Sequence, residues 1–217
     1  MNTPCQSPEA DNPLVILVQP QMGLSGDFSR HLPLSLLYVA APLTAMAVDV
    51  EILDTRVIEG NWREALLRLL QRKPAWVGFT VMAGYPVAHS LEISRFIKKH
   101  SDTKIVWGGA MPTTDAASCL SEESVDFAVA GSGVAATAQL TAAILQGRAD
   151  DLALLQKIPG LAYKINGQPH FNGRFHGFEH VSYRDLPYHL IRDYSVYGQL
   201  GSTDRVFPIY SAYGCPY

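Results

Sequence analysis

The side chain most plainly placed for chemistry is Cys215, in Gly214-Cys215-Pro216 after the apolar, aromatic-rich stretch 205–213. A strand candidate that delivers a cysteine onto a Gly/Pro turn presents a thiolate as a metal ligand. Cubane iron–sulfur centres need three or four converging thiolates, so Cys215 alone holds no cluster: either the sequence given stops within a further domain or Cys215 serves another purpose. The other cysteines, Cys5 and Cys119, lie far away in the chain. Three scattered cysteines argue against a disulfide framework and for a reducing compartment, so a cytoplasmic location is expected.

The second set of candidates consists of short loops that follow strand-like runs. They are Gln19-Pro20-Gln21-Met22-Gly23, Asp54-Thr55-Arg56, Thr80-Val81-Met82-Ala83-Gly84, Gly108-Gly109-Ala110-Met111-Pro112-Thr113 and Gly131-Ser132-Gly133. Glycines just before a helix let a ligand approach the backbone, and helix N-termini offer unpaired N–H groups to an anion. The same glycines also serve turn geometry alone. Several standard sites are excluded: there is no G-x-x-x-x-G-K-[ST] loop, and no G-x-G-x-x-G follows the first strand. Asp54 nevertheless ends the second strand where a ribose-binding acid would sit. A phospho-receiver would need acids where Gln19 and Thr80 stand, and Ser132 lacks a nucleophile elbow. The histidines occur singly or in loose groups such as His170, His176 and His180, unlike zinc pairs. Asp185 and Asp193 read as turn and cap residues.

The elements that must position these loops alternate regularly. A continuous apolar run, 14–18, predicts a strand buried on both faces. A helix over 34–47, a strand over 48–54 and a helix marked by Trp62, Ala65, Leu66, Leu69 and Leu70 follow. Strands are then expected at 75–81, 104–107 and 126–130, and helices at 87–99, 114–123 and 135–146. Five β-then-α units predict an α/β fold, a Rossmann-like, flavodoxin-like doubly wound sheet of five parallel strands, with functional loops at the strand C-termini. Beyond Gly147, the runs 160–165 and 169–171 flank Asn166-Gly167, a tight-hairpin signal, and 175–199 reads as a connector. The expected organisation is a disordered tail (1–13), the Rossmann-like domain (14–150), a hairpin and linker (151–204) and the first residues of another domain (205–217).

Bulk properties narrow the function. With 217 residues, 47% hydrophobic and 17% charged, and a net charge of −3, the chain has no electrostatic bias towards nucleic acid. The longest apolar run, 36–48, is broken by Pro42 and Thr44 and falls short of the about 20 residues that span a bilayer, so no membrane association is expected. The first 13 residues lack the basic and apolar regions of a secretory signal.

In their order and spacing, the stretches Leu34-Ser35-Leu36-Leu37-Tyr38-Val39-Ala40-Ala41, Val50-Glu51-Ile52-Leu53-Asp54, Val77-Gly78-Phe79-Thr80, Ile105-Val106-Trp107-Gly108-Gly109, the run 125–131, Asp185-Leu186-Pro187 and the run 210–217 resemble the N-terminal half of cobalamin-binding radical SAM enzymes. The resemblance covers about residues 14 to 217 and implies a corrinoid-binding domain. Carried over by position, Gln19, Thr80, Val81, Met82, Gly108, Gly109, Ala110, Gly131, Ser132 and Gly133 would contact the cofactor. Cys215 would be the first cysteine of a C-x-x-x-C-x-x-C motif, with the [4Fe–4S] cluster and S-adenosylmethionine belonging to a complete family member. Complete members use the two halves for methyl transfer, ring rearrangement or cyclisation; the sequence as given, lacking the other cluster ligands, is expected to be inactive alone. Related cobalamin domains carry Asp-x-His-x-x-Gly after the first strand, whereas Gln19 to Gly26 holds no histidine. The resemblance therefore implies that no histidine from that loop binds cobalt; His31, further on, reads as an exposed residue. The family's Gly-Glu-Gly-Glu is replaced by Gly131-Ser132-Gly133-Val134, and both acids are absent.

Two alternatives remain at this point: a stand-alone module binding a flavin or an anion at Gly131-Ser132-Gly133, and a vestigial domain that docks a protein partner. Phe207, Ile209, Tyr210 and Tyr213, left unpaired, are a self-association hazard. Light scattering should show more dimer or aggregate for the full chain than for a version ending near Gly201; equal monodispersity would remove the idea.

Overall fold

The computed structural model describes residues 12–23, 31–175, 177, 179 and 181–198. Cys5, His176, His180, Cys215 and the apolar stretch 205–213 lie outside the described residues, so the expectations placed on them stand as sequence readings. Five parallel strands, β1 (Leu14–Gln19), β2 (Asp49–Asp54), β3 (Trp76–Thr80), β4 (Lys104–Gly108) and β5 (Phe127–Val129), alternate with α1 (Leu34–Ala45), α2 (Trp62–Leu70), α3 (Tyr85–His100), α4 (Ala110–Ser121) and α5 (Val134–Leu145).

All six residues of β1 are buried because each face of the sheet carries its own core. Leu14, Ile16 and Val18 join Trp62, Leu66, Ile93, Ile97 and Leu120 of α2, α3 and α4 on one face. Val15 and Leu17 join Leu36, Ala40, Ala136 and Leu140 of α1 and α5 on the other. This two-residue alternation decides which side chains can reach the site on the second face.

The sheet has seven strands, in the order β2-β1-β3-β4-β5-β6-β7, rather than the five expected. The five parallel strands are those the sequence predicts. The Asn166-Gly167 hairpin forms β6 (Leu161–Ile165) and β7 (Gln168–Phe171), and β6 pairs antiparallel with β5. Asn166 and Gly167 both take positive φ, 50° and 79°, as a two-residue hairpin turn requires. The extension has a physical cause: Leu161, Ala162 and Tyr163 are buried, and pairing them with β5 satisfies its otherwise open backbone edge. The linker region also contains a short helix, α6 (Leu152–Leu155), whose N-cap Asp151 accepts a hydrogen bond from the Leu154 N–H. Helix α4 starts at Ala110, directly after Gly109, four residues before the expected start; its turn is broken at Asp115 (φ −149°, ψ 81°). Asp115 re-caps the second part by accepting from the Ser118 N–H and hydroxyl.

The connector packs on α1. Leu186, Ile191 and Tyr197 form a third core with Leu32, Leu34 and Leu37. At its edge the buried Asp54 carboxylate accepts from Arg56 Nε and Nη2 (2.9 and 2.7 Å) and from the Tyr197 hydroxyl (3.1 Å). Arg56 Nη2 also donates to the His31 carbonyl at 2.8 Å. Asp54 is thus committed to closing the structure, and burial together with its charge pushes the Tyr197 hydroxyl pKa up. No helix among the described residues is long and apolar enough to cross a membrane.

The loop after β1 is held from the opposite face of the sheet. His89 of α3 is 3% exposed, and its Nδ1 accepts the Gln21 N–H at 3.0 Å. Its ring stacks near Tyr85 and meets Trp62 edge-on. Burial, only partly opposed by Glu92, lowers its pKa from the usual value of 6.5.

Two predictions follow from these contacts. Tyr197→Phe should cost about 1.5–3 kcal/mol, the range for a hydrogen bond to a charged group, in denaturant unfolding. Because the folded pKa of His89 is depressed, its contribution is complete above about pH 6.5 and declines as pH falls through the folded value. Stability should therefore fall on acidification from about pH 7 to pH 5, and less steeply in His89→Phe; parallel profiles would refute the assignment.

Candidate functional site

A cavity of about 700 Å³ opens at the C-terminal ends of β3, β4 and β5, between the sheet and helices α1 and α5. Strand alternation sets its wall. Leu17, Trp76, Gly78, Thr80, Val106, Gly108 and Val129 occupy positions of the same sheet face, and register places Gly78 beside Val106 and Thr80 beside Gly108. From the helices come Ser35, Leu36, Tyr38 and Val39 of α1 and Val134 and Thr137 of α5.

The two glycines of the sheet face act differently. A Cβ at Gly78 would lie 2.4 Å from the Trp76 ring, so Gly78 lets that indole lie across the strand. The indole is fixed by Nε1–H donating to Thr141 Oγ1 at 3.0 Å. A Cβ at Gly108 would meet only the Phe79 carbonyl oxygen, at 3.7 Å, and would point with Val106 towards the cavity. Gly108 thus leaves a cradle that a larger side chain would fill. Gly109 is required for a different reason: it has φ 98°, and a Cβ would sit 2.9 Å from both the Val81 nitrogen and oxygen. This close approach allows Val81 N–H to donate to the Gly108 carbonyl (2.7 Å) and Met111 N–H to the Val81 carbonyl (2.9 Å), which starts α4.

The rim is polar and cross-braced. Ser35 Oγ donates to Thr80 Oγ1 at 3.4 Å. Thr113 Oγ1 donates to the Gly109 carbonyl (2.7 Å) and accepts the Gly131 N–H (2.9 Å), linking the two glycine loops. Gly131, at φ 90°, passes so close to Phe175 that a Cβ would lie 2.5 Å from its carbonyl oxygen. Glu179 lies on the cavity wall; it accepts the Ser132 hydroxyl and, at 2.9 Å, the Ala135 N–H at the start of α5.

Of the residues singled out from sequence, Thr80, Gly108, Gly109, Gly131, Ser132 and Gly133 line this cavity. Val81 instead points into the core on the far face, and Met82 is exposed. The Gln19 amide turns back to the Pro20 carbonyl and the Met22 sulfur, and Ala110 is the exposed first residue of α4. Cys215 is outside the described residues. Sequence reading missed Ser35, Tyr38, Trp76, Gly78 and Glu179. Gly78 had a signal, a glycine inside a strand; Glu179 had none, since a distant connector brings it to the loop. Among the described residues no cluster of three His, Cys, Asp or Glu side chains could hold a metal ion. Two donors that an anion would use there, the Ser132 hydroxyl and the Ala135 N–H at the start of α5, are already engaged by Glu179.

Comparison with known proteins identifies the family and the fold. A profile of the B12 binding domain family matches residues 28–141. Among solved structures, the radical S-adenosylmethionine methyltransferase TsrM from Kitasatospora setae, with cobalamin and a [4Fe–4S] cluster bound, is 25% identical at a TM-score of 0.62, covering 74% of this chain and 30% of that one. TsrM with tryptophan substrate and a SAM analogue bound gives a TM-score of 0.61 at 25% identity, over 73% of this chain and 29% of that one. The cobalamin-dependent S-adenosylmethionine radical enzyme OxsB, with aqua-cobalamin and S-adenosylmethionine bound, is 19% identical at a TM-score of 0.60, over 82% of this chain and 24% of that one, and shares the fold. The chain thus spans less than a third of the length of these structures. No curated protein matches it. With a matching profile over more than half its length and the flavodoxin-like sheet and cavity to accompany it, the chain belongs to the B12-binding domain family.

Proposed function

We propose that this domain holds a corrinoid by admitting its nucleotide tail into the cavity under α1 and α5, with the corrin ring over the strand C-termini. The observation that carries this reading is the cradle at Gly108, a sheet-face position where a Cβ has room and only the cavity in front of it. The residues fit the group: the wall is largely apolar, suited to an aromatic base, and the rim carries Thr80, Ser35 and Ser132. Gly109 serves the tail indirectly by shaping the rim through its contact with Val81. With no histidine between Gln19 and Gly26, that segment would supply no imidazole to cobalt.

The Glu179 carboxylate, bonded to the Ser132 hydroxyl and the Ala135 N–H, favours this reading over an anion site at Gly131-Ser132-Gly133, since it places a negative charge there already. An acid contacts this loop even though the loop itself has lost both acids, because Glu179 reaches it from the connector. Gln19, Met82 and Ala110 stand outside the cavity lining, and any contact of theirs would be with the ring above it; Val81, wholly buried in the far core, has no surface to offer one. We further propose that the domain works in the cytoplasm within a cobalamin-dependent radical SAM enzyme. A bound corrinoid would supply methyl-transfer or related cobalt chemistry there; the role of these residues is to bind and orient it.

Anaerobic mixing of the chain with hydroxocobalamin, followed by desalting, should leave a protein with a base-off absorbance spectrum. Gly108→Leu should remain folded by circular dichroism and lose at least about tenfold in affinity, because the new side chain occupies the tail's space. Gly109→Ala should instead destabilise the fold by more than about 1 kcal/mol, from its positive φ and the Val81 backbone. A folded Gly108→Leu protein with unchanged affinity would refute the placement.

A further inference from the structure

What the deep wall of the cavity lacks bears on which corrinoids it accepts, an inference that rests on the reading of this cavity as the tail site. Corrinoids differ in the base that ends the nucleotide tail. Dimethylbenzimidazole presents two methyl groups on its leading edge, whereas adenine presents an exocyclic amine and ring nitrogens. The wall deepest below the strand ends is formed by Leu17, Leu36, Trp76, Gly78 and Val106.

The polar side-chain group of that wall, the Trp76 indole N–H, is spent on the protein itself. The Trp76 Nε1–H donates to Thr141 Oγ1, itself wholly buried, at 3.0 Å. Thr141 Oγ1 in turn donates to the Thr137 carbonyl at 2.6 Å, and Thr137 Oγ1 donates to the Gly133 carbonyl at 2.5 Å. Nearer the rim, Ser132 donates to Glu179. An amine or ring nitrogen carried to the deep wall would give up its water without gaining a partner there, whereas a methylated edge gives up nothing.

We propose that this domain selects corrinoids by their lower base, taking the dimethylbenzimidazole tail and discriminating against the adenine tail. The decisive measurement is an absorbance titration of the full chain with three corrinoids: hydroxocobalamin, its adenine-tailed analogue, and tail-less cobinamide. Cobalamin should bind most tightly and the adenine-tailed analogue about tenfold to a hundredfold more weakly, the range in which an apolar pocket rejects an added polar group. Val106→Thr, which places a hydroxyl in the deep wall at nearly constant volume, should narrow that gap. Equal affinities for the two tailed corrinoids in the wild-type chain would overturn the selectivity while leaving the tail site standing. Cobinamide binding as tightly as cobalamin, or no retention of cobalamin, would overturn the tail placement and the selectivity with it.

Discussion

The close approach of Gly109 to the backbone of Val81 is the contact on which the site depends. A parallel strand pair normally diverges into its loops at the C-terminal end. Here the Val81 N–H and carbonyl are tied to Gly108 and Met111, so β3 and β4 stay together one residue beyond the sheet and α4 begins at once. Only a residue without Cβ at φ 98° permits this. Thr113, on the first turn of that helix, is thereby positioned to bridge the Gly109 and Gly131 loops. Three strand ends become one braced rim around a cavity that would otherwise have mobile edges.

Two carboxylates hold the rest of the chain against this frame. Glu179 accepts the Ala135 N–H at the N-terminus of α5, where the helix dipole favours negative charge. Asp54 sits buried between Arg56 and Tyr197. Removing one partner from such a buried pair leaves a desolvated charge, which makes Asp54 far more consequential for the fold than any exposed ion pair on α2 or α3. Asp54 therefore serves structure at a strand end where a sequence reader looks for a ribose contact, and Glu179 serves it at a glycine loop read as a ligand site.

The five βα units and the C-terminal placement of the site were legible because each strand is a short apolar run and each helix shows a face. The hairpin was legible in Asn166-Gly167, but its pairing with β5 was not, since edge pairing is decided by which backbone remains open after the sheet forms. Thr80, Val81 and Met82 were read together as one ligand loop; two-residue alternation sends Val81 into the opposite core, a distinction already present in the sequence. The extra first turn of α4 was hidden because Gly109 and Pro112 both read as loop residues, and only the tertiary contact with Val81 makes a helix start there. Glu179 lay beyond local reading altogether, 47 residues from its partner Ser132.

The contact between Tyr197 and Asp54 closes 143 residues of chain, so it forms under a large loop-closure entropy and depends on contacts made earlier. During synthesis, β1 and β2 emerge before residue 197, so the Asp54 carboxylate can meet its phenol only once the connector has left the ribosome. Docking of the connector is thus a late assembly step, reporting that the sheet beneath α1 is already in place before the polypeptide beyond it is committed.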